Sequence, residues 1–183
     1  IVVISAGFKE TGAEGLALEK ALTGRVHQYG MTMVGPNCLG VVNTNPAVRM
    51  DGCFAETLPR RGDIGFVSQS GALGGGILNI LKDLGIGFAQ FISIGNQADV
   101  NAASAIEFWE NEEDVHQILL YMESILDPKA FRKLATRVSK KKPILALKAG
   151  RSAAGASAAS SHTGSLAGAD KAADALLRQS GVI

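Results

Sequence analysis

The sequence predicts an α/β protein with a parallel, doubly wound sheet, because short apolar strands alternate with amphipathic helices along the 183 residues. Apolar residues make up 46% of the chain and aromatic residues only 5%, while 22 glycines are available for turns. This balance is typical of an α/β domain whose strands are rich in Val and Ile. From residue 60 onward, four strands with interleaved helices predict a flavodoxin-like sheet.

The first third of the chain predicts two strands, a helix and a rigid turn. The expected order is a strand at 1–5, a helix from 13 to about 29, a strand at 31–34, a turn at 35–40 and an extended piece at 41–43. The apolar face of the helix is expected to include Leu16, Leu18, Leu22 and Val26. Residues 43–62 contain prolines and little periodicity, so they are the best candidate for a linker.

The second part of the chain predicts a repeated strand–helix order. Strands are expected at 64–67, 88–94, 118–122 and 143–147, and helices at 71–84, 102–111, 128–140 and 164–179. Proline at position 128 is well placed at a helix start, where its missing N–H is not needed. We expect the chain to be cut at both ends, because residues 1–5 predict a buried strand and another strand is expected to begin at the last residues.

Composition excludes several function classes. A net charge of +1 gives no long-range field to attract nucleic acid or an anionic membrane. The sequence has no apolar run of the roughly 18–20 residues needed to cross a bilayer and no signal-peptide pattern at its start. Cys38 and Cys53 lack the spacing of a disulfide framework or a zinc site, and His27 and His116 have no neighbours at metal-ligand spacing. We therefore expect no metal site and a cytoplasmic location.

The segment Ser68-Gln69-Ser70-Gly71-Ala72-Leu73-Gly74-Gly75-Gly76 follows a strand directly and is a candidate anion site. Ser68 and Ser70 are good helix caps, and a helix N-terminus offers free N–H groups to an anion. Three consecutive glycines cost about 1 kcal/mol each in a helix, so a ligand or another backbone is expected to approach closely. Tight packing of the helix on the sheet is the alternative.

The small-residue segment from Lys148 to Gly164 ends in Ser161-His162-Thr163-Gly164, at the start of the last predicted helix. The imidazole of His162 could attack a phosphoryl group, and helix N–H groups would stabilise the product. Lys148 and Arg151, at the carboxyl end of a strand, could face a phosphorylated ligand. A surface loop with solvated side chains is the alternative interpretation.

Two further segments are candidates for the same site. Glu123, at the end of a predicted strand, could accept an N–H from a histidine and set its tautomer, or it could be an ordinary surface residue. The turn Gly35-Pro36-Asn37-Cys38-Leu39-Gly40 could present its N–H groups to a ligand at the sheet edge. A purely structural turn is the alternative for these residues.

Together, residues 35–40, 68–73 and 161–164 resemble the α-type half of the succinyl-CoA synthetase superfamily, in order and over essentially the whole chain. The resemblance is closer to the ADP-forming acetate–CoA ligase branch. Two further segments strengthen this resemblance, namely Gly7-Phe8-Lys9-Glu10-Thr11-Gly12 and Lys148-Ala149-Gly150-Arg151.

The resemblance implies an acyl-CoA synthetase that interconverts acyl-CoA, phosphate and a nucleoside diphosphate with a carboxylic acid, CoA and a nucleoside triphosphate. The reaction passes through an acyl phosphate and a phosphohistidine, which His162 matches. Glu123 matches the carboxylate that orients this histidine, although Met122 and Ser124 replace the glycine-rich neighbours of the succinyl branch. Further matches are a phosphate site at Ser68, Ser70, Gly71 and Gly164, and a CoA thioester site at Asn37 and Cys38.

The resemblance also divides the chain and implies partners. Residues 1–59 match the C-terminal part of a Rossmann-like CoA-binding domain and a linker, and residues 60–183 match the flavodoxin-type domain with the phosphohistidine loop. The Gly-rich CoA-phosphate loop and the ATP-grasp part, which holds ADP or ATP and Mg, are absent from the sequence. We expect an ATP-grasp domain or β subunit as partner, an oligomer, and an inactive isolated fragment.

Two other functions are open at this point. Protein lysine acetyltransferases of bacteria carry a domain similar to this chain that senses acyl-CoA without ligation, but it usually lacks the histidine that is present here. A flavodoxin-like domain that binds an adenine nucleotide without chemistry is the third possibility.

Overall fold

The computed structural model describes residues 1–149 and 170–183. The strands are β1 (Gly40–Asn43), β2 (Met50–Cys53), β3 (Arg61–Ser68), β4 (Phe88–Ser93), β5 (Gln117–Met122) and β6 (Ile144–Lys148). The α-helices are α1 (Ala13–Gln28), α2 (Gly71–Asp83), α3 (Ala102–Trp109), α4 (Pro128–Val138) and α5 (Asp170–Gln179), and one turn of 3₁₀ helix covers Lys9–Thr11. None of these described helices is long and apolar enough to cross a bilayer.

The six strands form one mixed sheet in the order β2-β1-β4-β3-β5-β6. Strand β3 is parallel to β4 and β5, and β5 is parallel to β6, whereas β1 is antiparallel to both β2 and β4. The parallel part has the strand order of a flavodoxin-like fold, which confirms the predicted fold class. The carboxyl ends of the four parallel strands therefore lie at one edge of the sheet.

The central strand β3 is buried on both faces, as expected for a parallel strand covered by helices. Phe66 faces α2, where it packs with Leu78, while Val67 belongs to the cluster on the other face with residues of α3, α4 and α5. A Cβ on Gly65 would lie 2.8 Å from Cδ2 of Trp109. Glycine at this position therefore lets the fully buried indole lie directly on the strand.

The predicted strands at 1–5 and 31–34 are wrong in extent. They meet in a single parallel bridge between Val2 and Val34. The N–H of Val34 donates to the carbonyl of Ile1, and the next residue that would donate to this segment is Pro36, which has no N–H, so the ladder stops there.

The predicted linker at 43–62 is also wrong in part, because it contains β2. Residues Gly40 and Cys53 are paired in a hairpin, and the turn is closed by hydrogen bonds from the N–H groups of Val48 and Arg49 to the carbonyl of Asn45. Strand β2 is short and mostly exposed, and its side chains do not alternate between apolar and polar. The sequence pattern therefore did not predict this strand. The predicted boundary near residue 59 stays a prediction, although β1 and β2 hydrogen bond into the same sheet as β3–β6.

Helix α1 buries a different face from the one predicted. Val26 is buried, but Leu18 is 59% exposed and Leu16 is also exposed. Glu19 is buried instead, because its carboxylate accepts a hydrogen bond of 2.8 Å from the Asn96 amide. A polar contact rather than an apolar stripe thus orients this helix.

The N-terminal segment lies over the carboxyl edge of the sheet, which places it at the site described below. The N–H of Val100 donates to the carbonyl of Met33 at 3.1 Å, and the N–H of Asn96 donates to the carbonyl of Pro36 at 2.9 Å. The Gly35–Pro36 peptide bond is cis. Residues 33–36 therefore run beside the loop that follows β4.

Candidate functional site

A cleft of about 1020 Å³ opens at the carboxyl ends of β3, β4 and β5. Ligands of open α/β sheets bind at this edge. The cleft is lined by the turns that follow the three strands and by two N-terminal segments. The lining residues are Ile4, Ala6, Lys9, Glu10, Gly12, Asn37, Cys38, Leu39, Phe54, Gln69, Ser70, Gly71, Ala72, Gly95, Asn96, Gln97, Glu123, Ser124 and Leu126.

The N-terminus of α2 faces this cleft. Ser70 is the N-cap, and its Oγ accepts a hydrogen bond of 3.3 Å from the N–H of Leu73. Ser70 and Gly71 both line the cleft, and the first turn of α2 has no acidic side chain. Because the first N–H groups of a helix lack partners within the helix, this end of α2 is suited to an anion.

Ser68 has a different position from the one predicted. It is fully buried and does not line the cleft, and its Oγ donates a 2.7 Å hydrogen bond to the carbonyl of Ser70. The hydroxyl of Ser68 therefore holds the Ser70 turn in place, and Ser70 is the serine that lines the cleft.

Close packing explains one of the three consecutive glycines near the start of α2. A Cβ on Gly74 would lie 3.1 Å from both Cζ of Phe91 and Cβ of Ser68, so the helix lies close to the sheet at this point. Around Gly76, by contrast, nothing lies within 4 Å of such a Cβ. The packing alternative therefore applies to Gly74, whereas Gly71 is the glycine at the cleft.

Gln69 joins the ends of β3 and β5, and the sequence analysis missed it. Its Oε1 accepts hydrogen bonds from the N–H groups of Glu123 and of Ser124, the latter at 2.9 Å. Its Nε2 donates to the carbonyl of Ser124 at 2.7 Å, and the side chain is buried. Gln69 thereby fixes the backbone of Glu123, which lines the same cleft as the α2 terminus. A polar residue directly after a strand was the only sequence signal for it.

The turn that contains Asn37 and Cys38 also lines the cleft. Asn37 has a left-handed backbone with φ of 57°, and its N–H donates to the carbonyl of Ser5 at 2.9 Å. Burial raises the pKa of the Cys38 thiol, whose Sγ donates to the carbonyl of Val3 at 3.3 Å. Cys38 is therefore a neutral thiol at neutral pH, and it contributes shape rather than a nucleophile to this wall.

A polar network around Asn96, also missed from sequence, connects the N-terminal segment to the loop after β4. The Asn96 amide donates to the carboxylates of Glu10, at 2.6 Å, and Glu19, at 2.8 Å. It also accepts a 3.3 Å hydrogen bond from Nδ2 of Asn37, and Nζ of Lys9 donates to the carbonyl of Asn96. Lys9 and Glu10 thus bring one positive and one negative charge to the cleft.

The pKa of Glu10 is lowered by this network. Partial burial works in the opposite direction and would raise the pKa. The hydrogen bonds from Asn96 and from the backbone N–H groups of Gly7 and Phe8 outweigh it. Glu10 is therefore ionised at neutral pH.

Not all predicted site residues can be located. His162, Gly164 and Arg151 lie outside the described residues. Lys148 ends β6, and its Nζ donates to the carbonyl of Ala149 at 2.7 Å. Within residues 1–149 and 170–183, no group of three or more His, Cys, Asp or Glu side chains is placed to hold a metal ion. The structure therefore brings together Asn37, Cys38, Ser70, Gly71 and Glu123.

Comparisons of sequence and fold relate this chain to known proteins. Residues 61–183 match the family model described as the succinyl-CoA ligase like flavodoxin domain. The chain is 46% identical, over its full length, to the α subunit of ADP-forming acetate–CoA ligase II from Pyrococcus furiosus, and it covers 39% of that protein. It is 40% identical to the ADP-forming 4-hydroxybutyrate–CoA ligase of Nitrosopumilus maritimus and covers 26% of it.

Among solved structures, the dinucleotide forming acetyl-coenzyme A synthetase 1 of Ca. Korarchaeum cryptofilum, in complex with phosphate and ADP, superposes with a TM-score of 0.91. That structure is 38% identical in sequence, and the match covers 100% of this chain and 39% of the other. The chain therefore spans well under half the length of the relatives and structures named here.

Proposed function

Since this chain belongs to the family of the succinyl-CoA ligase like flavodoxin domain, we propose that it forms the phosphoryl-relay part of a nucleoside-diphosphate-forming acyl-CoA synthetase. The observation that carries the proposal is one cleft with three components. These are the amide end of α2 at Ser70 and Gly71, the carboxylate of Glu123, and the turn at Asn37 and Cys38.

The proposed reaction has three steps. Phosphate attacks the thioester carbonyl of an acyl-CoA, the C–S bond breaks, and an acyl phosphate and free CoA are formed. An imidazole nitrogen of His162 then attacks the phosphorus, and the carboxylic acid leaves as its anion. Finally, the phosphohistidine transfers its phosphoryl group to ADP, which becomes ATP, and the sequence is reversible.

Each described residue has a role that follows from its position. The amide end of α2 holds the phosphate, whose negative charge is stabilised by the N–H groups of the first turn. Glu123 accepts the N–H of the histidine ring and fixes its tautomer, as a carboxylate partner of imidazole does. Gln69 positions Glu123 through its backbone hydrogen bonds. Asn37 and Cys38 flank the thioester. Gly164 lies outside the described residues, and its role as a further phosphate contact is proposed from the sequence motif alone.

The whole reaction requires more than this chain. We propose that residues 1–59 are the C-terminal part of a CoA-binding domain, and that an ATP-grasp domain or β subunit binds ADP and Mg and completes the active site. The longer relatives and a neighbour with bound phosphate and ADP support this proposal. We further propose a cytoplasmic oligomer as the working form.

Phosphorylation of the chain tests the relay. The 183-residue chain is treated with acetyl phosphate labelled in its phosphoryl group, and we expect a label that is lost in acid and stable in base. His162→Asn should abolish the label, and Glu123→Gln should slow its formation. His116→Asn is the matched control, because His116 contacts Asp63 on the surface at 3.5 Å and does not line the cleft. Full labelling of the His162→Asn variant would refute the relay.

The comparisons give no support to an acyl-CoA-sensing domain of a protein lysine acetyltransferase. The relatives named above are ligases, and His162 is the residue that such sensing domains were expected to lack. A chain that binds CoA but never becomes labelled would favour the sensing function.

A further inference from the structure

A second, smaller pocket opens beside the cleft, between the first turns of α3 and α4. Its volume is about 250 Å³. Its apolar wall is formed by Met122 at the end of β5, by Ala102 and Ala103 of α3, and by Ala130 and Phe131 of α4. Three of these residues, Met122, Ala102 and Phe131, are buried in the core, so the pocket reaches from the surface to the core of the domain.

The polar groups at the rim of this pocket already have partners. Oδ1 of Asn101 accepts hydrogen bonds of 2.9 and 3.2 Å from two N–H groups in the first turn of α3. Oδ1 of Asp127 likewise accepts two hydrogen bonds of 3.0 Å from N–H groups in the first turn of α4. Both helix ends are therefore capped by their own side chains, and the Asp127 carboxylate repels an anion. The pocket is suited to an uncharged and mainly apolar group.

The pocket and the cleft share a wall. Gln97, Ser124 and Leu126 line both of them, and Nε2 of Gln97 donates to Oγ of Ser124 at 3.5 Å. Ser124 directly follows Glu123 in the chain. A ligand with its charged end at the N-terminus of α2 can therefore extend past Ser124 into the apolar pocket. A charged head with an apolar tail is the shape of an acyl phosphate.

We propose that this pocket is the acyl-chain subsite and that it favours acyl groups longer than acetyl. The proposal rests on the function proposed above. A volume of 250 Å³ corresponds to about eight water molecules at roughly 30 Å³ each, which is several times the size of an acetyl group. Each further methylene that enters the pocket is expected to tighten binding about fourfold.

Binding of two hydrolysis-resistant analogues to the 183-residue chain tests the subsite. Acetylphosphonate and butyrylphosphonate are titrated separately, and the methyl resonances of Ala103, Ala130 and Met122 are followed by NMR. We expect butyrylphosphonate to bind about sixteenfold more tightly, since it places two additional methylenes in the pocket at about fourfold each. We also expect it to shift these resonances more strongly than acetylphosphonate does.

Substitutions that fill the pocket provide the second arm of this experiment. Ala103→Leu and the more exposed Ala130→Leu should each remove most of the preference for butyrylphosphonate while leaving acetylphosphonate binding within about twofold of the wild type. Ala21→Leu is the matched control on the exposed face of α1 and should keep the full preference.

The outcomes separate this proposal from the relay. Equal affinities for the two analogues, no binding of either, or an unchanged preference in both filled variants would overturn the subsite. Labelling of His162 by acetyl phosphate is measured independently. A preference without labelling would refute the relay but leave a pocket that binds apolar tails, and labelling without a preference would refute only the subsite.

Discussion

Replacement of Gln69 should destabilise the protein, because its side chain connects the ends of two strands. It makes three hydrogen bonds to the backbone of Glu123 and Ser124. In Gln69→Ala all three backbone groups lose their partner. A typical bond contributes about 0.5–1.5 kcal/mol, and a buried group left unsatisfied costs about 1–3 kcal/mol. The adjoining cleft admits water, so the expected loss is about 2–4 kcal/mol in total.

Urea denaturation measures this loss directly. Trp109 is the single tryptophan and is fully buried, so its fluorescence reports unfolding. At an unchanged slope, the shift of the midpoint gives the change in free energy of unfolding. Gln117→Ala is the matched control, because its side chain is exposed and its hydrogen bond to Asp63 is 3.5 Å long. We expect this control to lose less than about 0.5 kcal/mol.

Gln69→Glu separates the two functions of the amide. The carboxylate keeps an acceptor for the two N–H groups of Glu123 and Ser124 but cannot donate to the Ser124 carbonyl when ionised. At low pH we therefore expect the free energy of unfolding of Gln69→Glu to lie between those of the wild type and Gln69→Ala. At neutral pH we expect Gln69→Glu to lose more stability, because a charge is then buried. If Gln69→Ala is as stable as Gln117→Ala, the inferred connection between β3 and β5 is wrong.

Two glycines and one carboxylate provide further predictions. In the same assay, Gly65→Ala should lower the free energy of unfolding by about 1–3 kcal/mol, because its Cβ would lie 2.8 Å from the Trp109 ring. Gly76→Ala should raise it by up to about 1 kcal/mol, because this helix position is open. Equal effects of the two would contradict the packing. Because the pKa of Glu10 is lowered on folding, its contribution to stability is full above the ordinary value of 4.5 and is lost as the pH falls through the folded value. Glu10→Gln should therefore lose less stability than the wild type on acidification, and parallel pH curves would argue against the network with Asn96.

The strand–helix order after residue 60 could be predicted from sequence because each element carries its own periodicity and caps. Helix α4 begins at Pro128, as the proline indicated, and β3 is the apolar run expected of a strand buried on both faces. Such signals are local, since they depend on neighbouring residues along the chain. The fold class followed from them and is confirmed.

Local signals gave the wrong result where a distant partner decides the structure. Strand β2 exists because β1 lies beside it, and α1 is oriented by the contact between Glu19 and Asn96, which are 77 residues apart in sequence. Gln69 and Ser124 are separated by 55 residues. Polar residues of this kind have no periodicity, so neither their burial nor their partners could be predicted.

The elements after residue 60, the fold class and the motifs that resemble an acyl-CoA synthetase could be predicted from the sequence alone. The assembled fold was needed to show that the α2 terminus, Glu123 and the turn at Asn37 line one cleft, and that an apolar pocket adjoins it at Ser124. This difference arises because helix and strand formation depends on near neighbours and solvent. A cleft is instead formed by side chains from distant segments, whose contacts exist only after the sheet has assembled.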